Sequence, residues 1–485
     1  MSVLAFLFLF ALGTVATLAA ASLSPAGARL SAAVTGIACS ALALAMLFGK
    51  IAALPSQWDR PTPFGAFWNL AADSTSLWML FLLGAVTAIA AGATNINKMT
   101  GVGNFLAALL GCSGAVAGVF LAQDALLYFM FFEAMLVPAW LMLAHWGDTA
   151  DGCKGDSATA NKFFIYSQTG GLLMLLAVIT LAALHQRETG VWSFSIDDLA
   201  ATTVPPERAR WLVAALLLAF GIKLPVYPFH GWLVDTYSKA PTPAVILFSG
   251  VLSKTGAYGI YRLALPLFPA AFSEWAYTAV LCGTISILYG GYLAYSQQDV
   301  RKLAAFTSLS HLGYVWIGLF SGSPLAIRGA VVLMVAHGFS SAGMFLLGDA
   351  LAERAGTRRL DQMGGLVKTA PWLAGAATAI AMASVGLPGF GNFIGEFLVL
   401  AGTYGRYPIA AVFAQLGVLI ATLYALGMVH RSLLGPERVK SSQGDLDLRE
   451  KVLFGGILLA LLFLGFSPQP VIAESASSPV AEVLP

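Results

Sequence analysis

The chain is written mostly in long apolar runs separated by short polar ones. Runs of about 17–25 apolar residues recur along it, the length an α-helix needs to cross roughly 30 Å of hydrocarbon. They predict spans at 2–22, 30–53, 74–92, 104–122, 125–144, 163–184, 210–225, 241–265, 273–295, 303–320, 326–348, 372–400, 409–430 and 452–468. The expected fold class is therefore all-α, a polytopic membrane protein of about fourteen transmembrane helices. Connections between the runs are short, so residues 1–485 are expected to form a single transmembrane domain. The longest polar stretches, 185–209 and 431–451, read as loops. The first run, Leu4 to Ala21, lacks a basic flank and is long enough to span, so it reads as a retained helix and not a cleaved leader.

Composition agrees with lipid as the solvent. Hydrophobic residues make up 58% of the 485 and charged ones only 10%, against about 25% charged in soluble domains. A net charge of +2 gives no reason to expect a nucleic-acid partner. The four cysteines, Cys39, Cys112, Cys153 and Cys282, are far apart and form no ligand motif, so each reads as a small packing residue. With the segment before helix 1 counted as loop zero, Lys and Arg concentrate in the odd loops by roughly two to one. Arg301, Lys302, Arg354, Arg358, Arg359 and Lys368 lie there. That bias predicts cytoplasmic odd loops and both termini on the outer side.

Two helices carry the means to break. Helix 7 runs into Gly221-Ile222-Lys223-Leu224-Pro225, and helix 12 contains Gly386-Leu387-Pro388-Gly389-Phe390-Gly391. Proline lacks a backbone donor and glycine weakens a helix, so each site frees backbone polar groups. Hydrocarbon tolerates these only where protein or water satisfies them. The breaks fall five helices apart. This predicts inverted five-helix repeats, helices 4–8 (104–265) and helices 9–13 (273–430), as in transporters built around broken helices.

Four ionisable residues fall within these apolar surroundings: Glu133, Lys223, Lys254 and Glu396. A charge at mid-bilayer costs about 2.5–3.5 kcal/mol on insertion scales, so four left alone would cost on the order of 10 kcal/mol. They must pair, neutralise or meet water. Opposite signs make Glu133 and Lys223 a candidate pair, and making or breaking such a pair changes how tightly the lysine holds its proton. His311 and His337 lie in helices 10 and 11, and His230 lies near the helix 7 break. An unperturbed imidazole titrates near pH 6.5 and can relay protons. His230 is the weaker candidate, and Asp124 at the start of helix 5 reads as interfacial. No Walker A sequence is present, and Gly101-Val102-Gly103 and Gly389-Phe390-Gly391 lack the strand–helix context of a nucleotide site. Energy for proton movement must then come from an ion gradient or a partner.

Several motifs resemble one family. Tyr128 to Glu133 with Val137-Pro138, Gly221 to Leu233, Ala240-Pro241-Thr242, Ser253-Lys254 to Gly259 and Ser308 to Gly313 resemble the antiporter-like subunits of respiratory complex I. Val335-Ala336-His337 to Ala342, Thr357 to Gly365 and Asn392 to Phe397 continue the resemblance, in order, over roughly residues 124–400. Within the family the chain is most similar to the subunit M branch of bacterial NADH:quinone oxidoreductase, the relatives of mitochondrial subunit 4. That branch carries a glutamate in helix 12, here Glu396, where other branches usually carry lysine. The chain also ends soon after helix 14, without the long lateral helix of subunit L.

The resemblance implies a proton-translocating subunit of an NADH:quinone oxidoreductase in a bacterial inner membrane. Glu133 would modulate Lys223, Lys254 would be the central relay, and Glu396 would exchange protons with the outer side. His311 and His337 would belong to the hydrated axis between Lys254 and Glu396. No cofactor or metal is expected in this chain; flavin, iron–sulfur clusters and quinone would sit in partner subunits, two of them homologous antiporter-like chains. The family often reads Pro-Asp-Ala-His after Trp232-Leu233, whereas this chain reads Val234-Asp235-Thr236-Tyr237, so no histidine role applies there. A cation/proton antiporter of the Mrp type and the related subunit of a membrane-bound hydrogenase share most motifs. A purely structural spacer would leave four buried charges beside broken helices unexplained.

Overall fold

The computed structural model describes residues 1–57, 62, 65–147, 155–438 and 444–474. Cys153 lies outside the described residues. Apart from a two-residue ladder pairing Ser56–Gln57 with Asn69–Leu70, the regular structure described is helical. Nine of the described helices are long and apolar enough to cross a bilayer, and the chain is an all-α, polytopic membrane protein.

The shortfall from about fourteen continuous spans has local causes. Ala5–Ala21 is apolar but only 17 residues long. Leu448–Phe466 carries Arg449, Glu450 and Lys451 in its first turn. Pro206–Lys223 carries Glu207, Arg208, Arg210 and Lys223, and the other two expected spans, helices 8 and 12, are interrupted. Helix 7 is Pro206–Lys223, followed by turns to Trp232 and a seven-residue helix, Leu233–Lys239. Helix 12 is Pro371–Ser384 and Gly391–Tyr404. Between those halves Gly386 has φ +77° and Gly389 φ +103°, conformations open to glycine and strained for other residues.

Two irregularities were not foreseen. The expected helix 5 crosses as Ala125–Trp146, with a local irregularity at Met135 between Ala125–Ala134 and Leu136–Trp146. Pro138 has no N–H to donate to the carbonyl one turn back, at Ala134. The expected helix 8 holds two π-helical turns, Phe248–Leu252 and Ile260–Ala264, on either side of Lys254–Gly259. Pro266 likewise withholds a donor from the second. Expected helices 6 and 11 are longer than their apolar runs, spanning Ser157–Thr189 and Pro324–Ala355. The expected 185–209 loop thus begins inside a helix and holds a short one, Ile196–Ala200.

Aspartates start several helices by accepting from their first backbone N–H groups: Asp73, Asp124, Asp156, Asp299 and Asp447. Asp124, expected to be interfacial, caps the start of Ala125–Ala134. It is fully buried, and its carboxylate takes N–H bonds from Leu126, Leu127 and Phe67 at 2.9, 2.9 and 3.0 Å. Cys39 and Cys112 are buried and lie against the carbonyls of Leu80 and Met135. Where helices approach most closely, glycine is required: a Cβ on Gly36 would meet the backbone of Gly84 and Ala88 at 2.6 Å.

The chain folds as two compact units, Met1–Pro225 with Val251–Thr278, and Val226–Gly250 with Ala279–Ala473. In the first, apolar side chains such as Phe8, Leu12, Ile165, Leu172 and Leu176 are exposed, as lipid-facing positions are. In the second, the helices Val300–Phe320 and Pro324–Ala355 are almost wholly enclosed. Buried Arg301 there donates to the carbonyls of Ser238 and Ala240 at 3.3 and 3.1 Å, and pairs with Asp349 at 2.6 Å. Those carbonyls end the Leu233–Lys239 helix and have no partner within it.

Candidate proton-relay sites

Glu133, Lys223 and Lys254 belong to the first unit; His230, His311, His337 and Glu396 belong to the second.

In the first unit Lys223 is the last residue of its helix, where a cation faces the partial negative charge of the terminal carbonyls. Its side chain is buried, and its Nζ makes no hydrogen bond. The ammonium lies 5.2 Å from the Phe132 ring centroid and 5.6 Å from that of Phe163, a cation–π environment. Glu133, half-buried on Ala125–Ala134, hydrogen-bonds the Gln168 side chain while its Oε1 is buried without a partner. Gly171 makes room for it; a Cβ there would fall 1.7 Å from Oε1. The expected Glu133–Lys223 contact is therefore not made in this conformation, and the two groups act on each other through space.

Lys254 is fully enclosed at the start of the short helical segment between the π turns, a distortion that often marks functional sites. Gly256 lets this segment approach the helix 7 break: its Cβ would lie 2.8 Å from the Phe220 carbonyl and 2.9 Å from the Leu224 nitrogen. Tyr128 bonds the Thr255 carbonyl at 2.9 Å. The Glu133 helix, the Lys223 break and the Lys254 segment are thus packed together.

In the second unit the expected residues meet directly. His311 Nδ1 lies 2.7 Å from Glu396 Oε1, with both side chains at least 95% buried. Its Nε2 lies 3.2 Å from the Tyr424 hydroxyl, and its ring is 5.7 Å from that of His337. Glu396 sits against the helix 12 break; a Cβ on Gly386 would be 3.0 Å from Oε2. Asn392, one turn before Glu396, donates to Ser340 at 3.0 Å while its Oδ1 stays buried and unpaired. His230 is elsewhere, stacked on Tyr227 at 5.9 Å and edge-on to Tyr289 at 5.4 Å. Tyr237, in place of the family's histidine, is buried against the rings of Trp232 and Phe345.

Sequence reasoning missed Tyr424, Asn392, Gln168 and Phe132. Each is one neutral residue in an apolar run, and only a neighbouring helix makes it part of a site. Among the described residues no cluster of three or more His, Cys, Asp or Glu side chains is arranged to hold a metal ion.

A family model described as "NADH:quinone oxidoreductase/Mrp antiporter, TM" matches residues 122–422. The chain belongs to this family. It is 41% identical over 430 residues to NADH-quinone oxidoreductase subunit M of Escherichia coli, covering 87% of this chain and 84% of that one. It is 35% identical over 419 residues to F(420)H(2) dehydrogenase subunit M of Methanosarcina mazei, covering 84% and 83%. Its structure matches a chain of respiratory complex I from Thermus thermophilus with bound NADH, at a TM-score of 0.88 and 29% identity over 99% of this chain and 100% of that one. A chain of the Mrp complex from Dietzia, at 0.83 and 22% identity over 99% of each, shares the fold.

Proposed function

We propose that this chain is the subunit M-type, proton-translocating membrane subunit of an NADH:quinone oxidoreductase. The observation that carries this reading is the enclosed His311–Glu396 contact, in a chain 41% identical to a bacterial subunit M. An imidazole bonded to a carboxylate can hand a proton across with little movement of heavy atoms. Mrp relatives share the fold, but Glu396 follows the subunit M pattern where they usually carry lysine.

Redox energy is released in partner subunits and reaches this chain through neighbouring membrane subunits, two of them homologous to it. It acts on the Glu133–Lys223 couple. Bringing Glu133 from its Gly171 niche to Lys223 would replace the aromatic surroundings of the ammonium by a carboxylate and change how firmly it holds its proton. A proton then passes by way of Lys254 toward Glu396, which exchanges with the outer side. Helices 4–8 and 9–13 act as the two inverted halves of this path. The termini face the outer side of the bacterial inner membrane, and flavin, iron–sulfur clusters and quinone belong to the partners.

Glu133→Ala and Lys254→Ala in the assembled enzyme test this. Quinone reduction with undiminished proton pumping in either variant would refute the assigned roles.

A further inference from the structure

Among the buried polar atoms of the first unit that lack a hydrogen-bonding partner are Glu133 Oε1, Lys223 Nζ and Ser167 Oγ. Lys223 is 1% exposed and Ser167 2%. Ser167 lies on Ser157–Thr189, where Thr169 and Thr180 donate to the carbonyls one turn back at 2.8 and 2.7 Å. That is the ordinary fate of a hydroxyl in an apolar helix. The Ser167 hydroxyl does not share it and is turned away from its own backbone. Its neighbours on the same face of the helix define where it sits. Phe163, one turn before, places its ring 5.6 Å from the Lys223 ammonium. Gly170, three residues on, packs one turn before Lys223: a Cβ there would lie 3.1 Å from the Ala219 carbonyl. Gly171, four residues on, is the niche of Glu133 Oε1. Ser167 therefore stands between the residue that touches the lysine and the one that touches the glutamate.

We infer that Ser167 holds a water molecule that bridges the Lys223 ammonium to the Glu133 carboxylate, which makes it a positioning residue for that couple. This rests on the proton-translocating reading above. An ammonium only donates, a carboxylate only accepts, and a hydroxyl does both. The three make no direct bond to one another, and leaving each buried and unpaired is costly. One water satisfies all three: it accepts from Nζ and from the Ser167 O–H and donates to Oε1. Three polar partners are the usual number for a buried water, and such a bridge is nearly as favourable as a direct bond. With the water in place the two charges are satisfied while apart, so Glu133 can remain in its Gly171 niche. Expelling the water is what brings carboxylate and ammonium together. Ser167 thereby sets the balance between the parted and the joined arrangement, without itself gaining or losing a proton.

The test uses the whole complex. A cryo-EM map that shows buried waters is expected to hold density within hydrogen-bonding distance of Ser167 Oγ, Lys223 Nζ and Glu133 Oε1, and to lose it in Ser167→Ala. A map that resolves other buried waters but none here, or that keeps this one in Ser167→Ala, would overturn the inference. In inverted membrane vesicles Ser167→Ala is expected to slow proton pumping about two- to ten-fold at unchanged assembly, the range that one hydrogen bond supports. Ser167→Thr keeps the hydroxyl and should pump close to the wild-type rate. A merely structural role predicts the reverse order, because threonine adds a methyl group to a packed helix face whereas alanine removes a single oxygen. Wild-type pumping in Ser167→Ala, or a worse defect in Ser167→Thr than in Ser167→Ala, would sink the role. If either variant fails to assemble, the wild-type map decides. Glu133→Ala in the same vesicles separates the readings: pumping lost there but intact in Ser167→Ala sinks the bridging water alone, whereas pumping intact in Glu133→Ala sinks the proposed function too.

Discussion

Arg354 and Glu450 offer a perturbation whose size can be worked from the contacts. Arg354, near the end of Pro324–Ala355, donates to Glu450 Oε2 at 2.7 Å and Oε1 at 3.2 Å. It also donates to the carbonyls of Ala350, Gly444 and Asp445 at 3.0–3.1 Å. The two side chains are 3% and 11% exposed. Glu450 in turn closes the capping box of Leu448–Phe466, accepting from the Asp447 nitrogen at 2.9 Å. Glu450→Ala removes the anion and leaves the guanidinium enclosed. Breaking a buried pair in this way costs about 3–5 kcal/mol, and the site, at a helix end, falls toward the lower figure. The lost cap adds about 0.5–1 kcal/mol. The sum, about 3.5–4 kcal/mol, corresponds to a local opening roughly 400- to 900-fold more frequent. Hydrogen exchange of the 448–455 amides in the intact complex should therefore quicken at least 100-fold. Arg354→Met with Glu450→Leu removes both charges and should quicken it less than about tenfold, because apolar replacements of a buried pair are often neutral. A single variant slower than tenfold, or a double variant as open as the single, would refute the reasoning.

Other outcomes follow from the same geometry. Gly171→Ala should displace the Glu133 carboxylate, which a Cβ would meet at 1.7 Å; vesicle pumping should fall at least three-fold with assembly unchanged, and normal pumping would show that its resting niche is unimportant. Gly386→Ala forces a side chain into φ +77° beside Glu396, at about 1–3 kcal/mol, and should lower the thermal midpoint and pumping together, whereas Gly375→Ala, where a Cβ meets nothing within 4 Å, should do neither. Asp73→Ala removes both the cap on Ser76 and the Arg262 ion pair at 3.0 Å, and should lower the complex's melting temperature more than Asp73→Asn, which keeps an acceptor. Desolvation opposes the charge of Asp445, but the backbone donors of Trp372, Leu446 and Leu373, helped by Arg354, outweigh it and hold its carboxyl below the ordinary value. Because the folded state binds this proton less readily, the docking it provides is complete above the unfolded value near 3.9 and is lost as pH falls through the folded one. Exchange at Trp372 and Leu373, corrected for intrinsic rates, should be flat from about pH 8 to 5 and rise in stronger acid.

The sequence by itself determined the all-α membrane class, the approximate spans and both helix breaks. Each of these depends on quantities local to the chain: the length of an apolar run, a missing proline donor, a glycine free to take positive φ. It also singled out Glu133, Lys223, Lys254, His311, His337 and Glu396, because an ionisable group costs energy in lipid whatever surrounds it. What those groups do to one another was decided only in three dimensions. Nothing in the chain order says that His311 bridges Glu396 and Tyr424, residues 85 and 113 positions away, or that Lys223 rests between phenylalanine rings instead of on Glu133. Those arrangements depend on the angles at which helices pack, and packing is settled by the joint fit of many side chains from different helices. The irregularity in helix 5 and the π turns around Lys254 show the same division. Proline marks where a donor is missing, but the neighbouring helices decide whether the backbone kinks, bulges or stops.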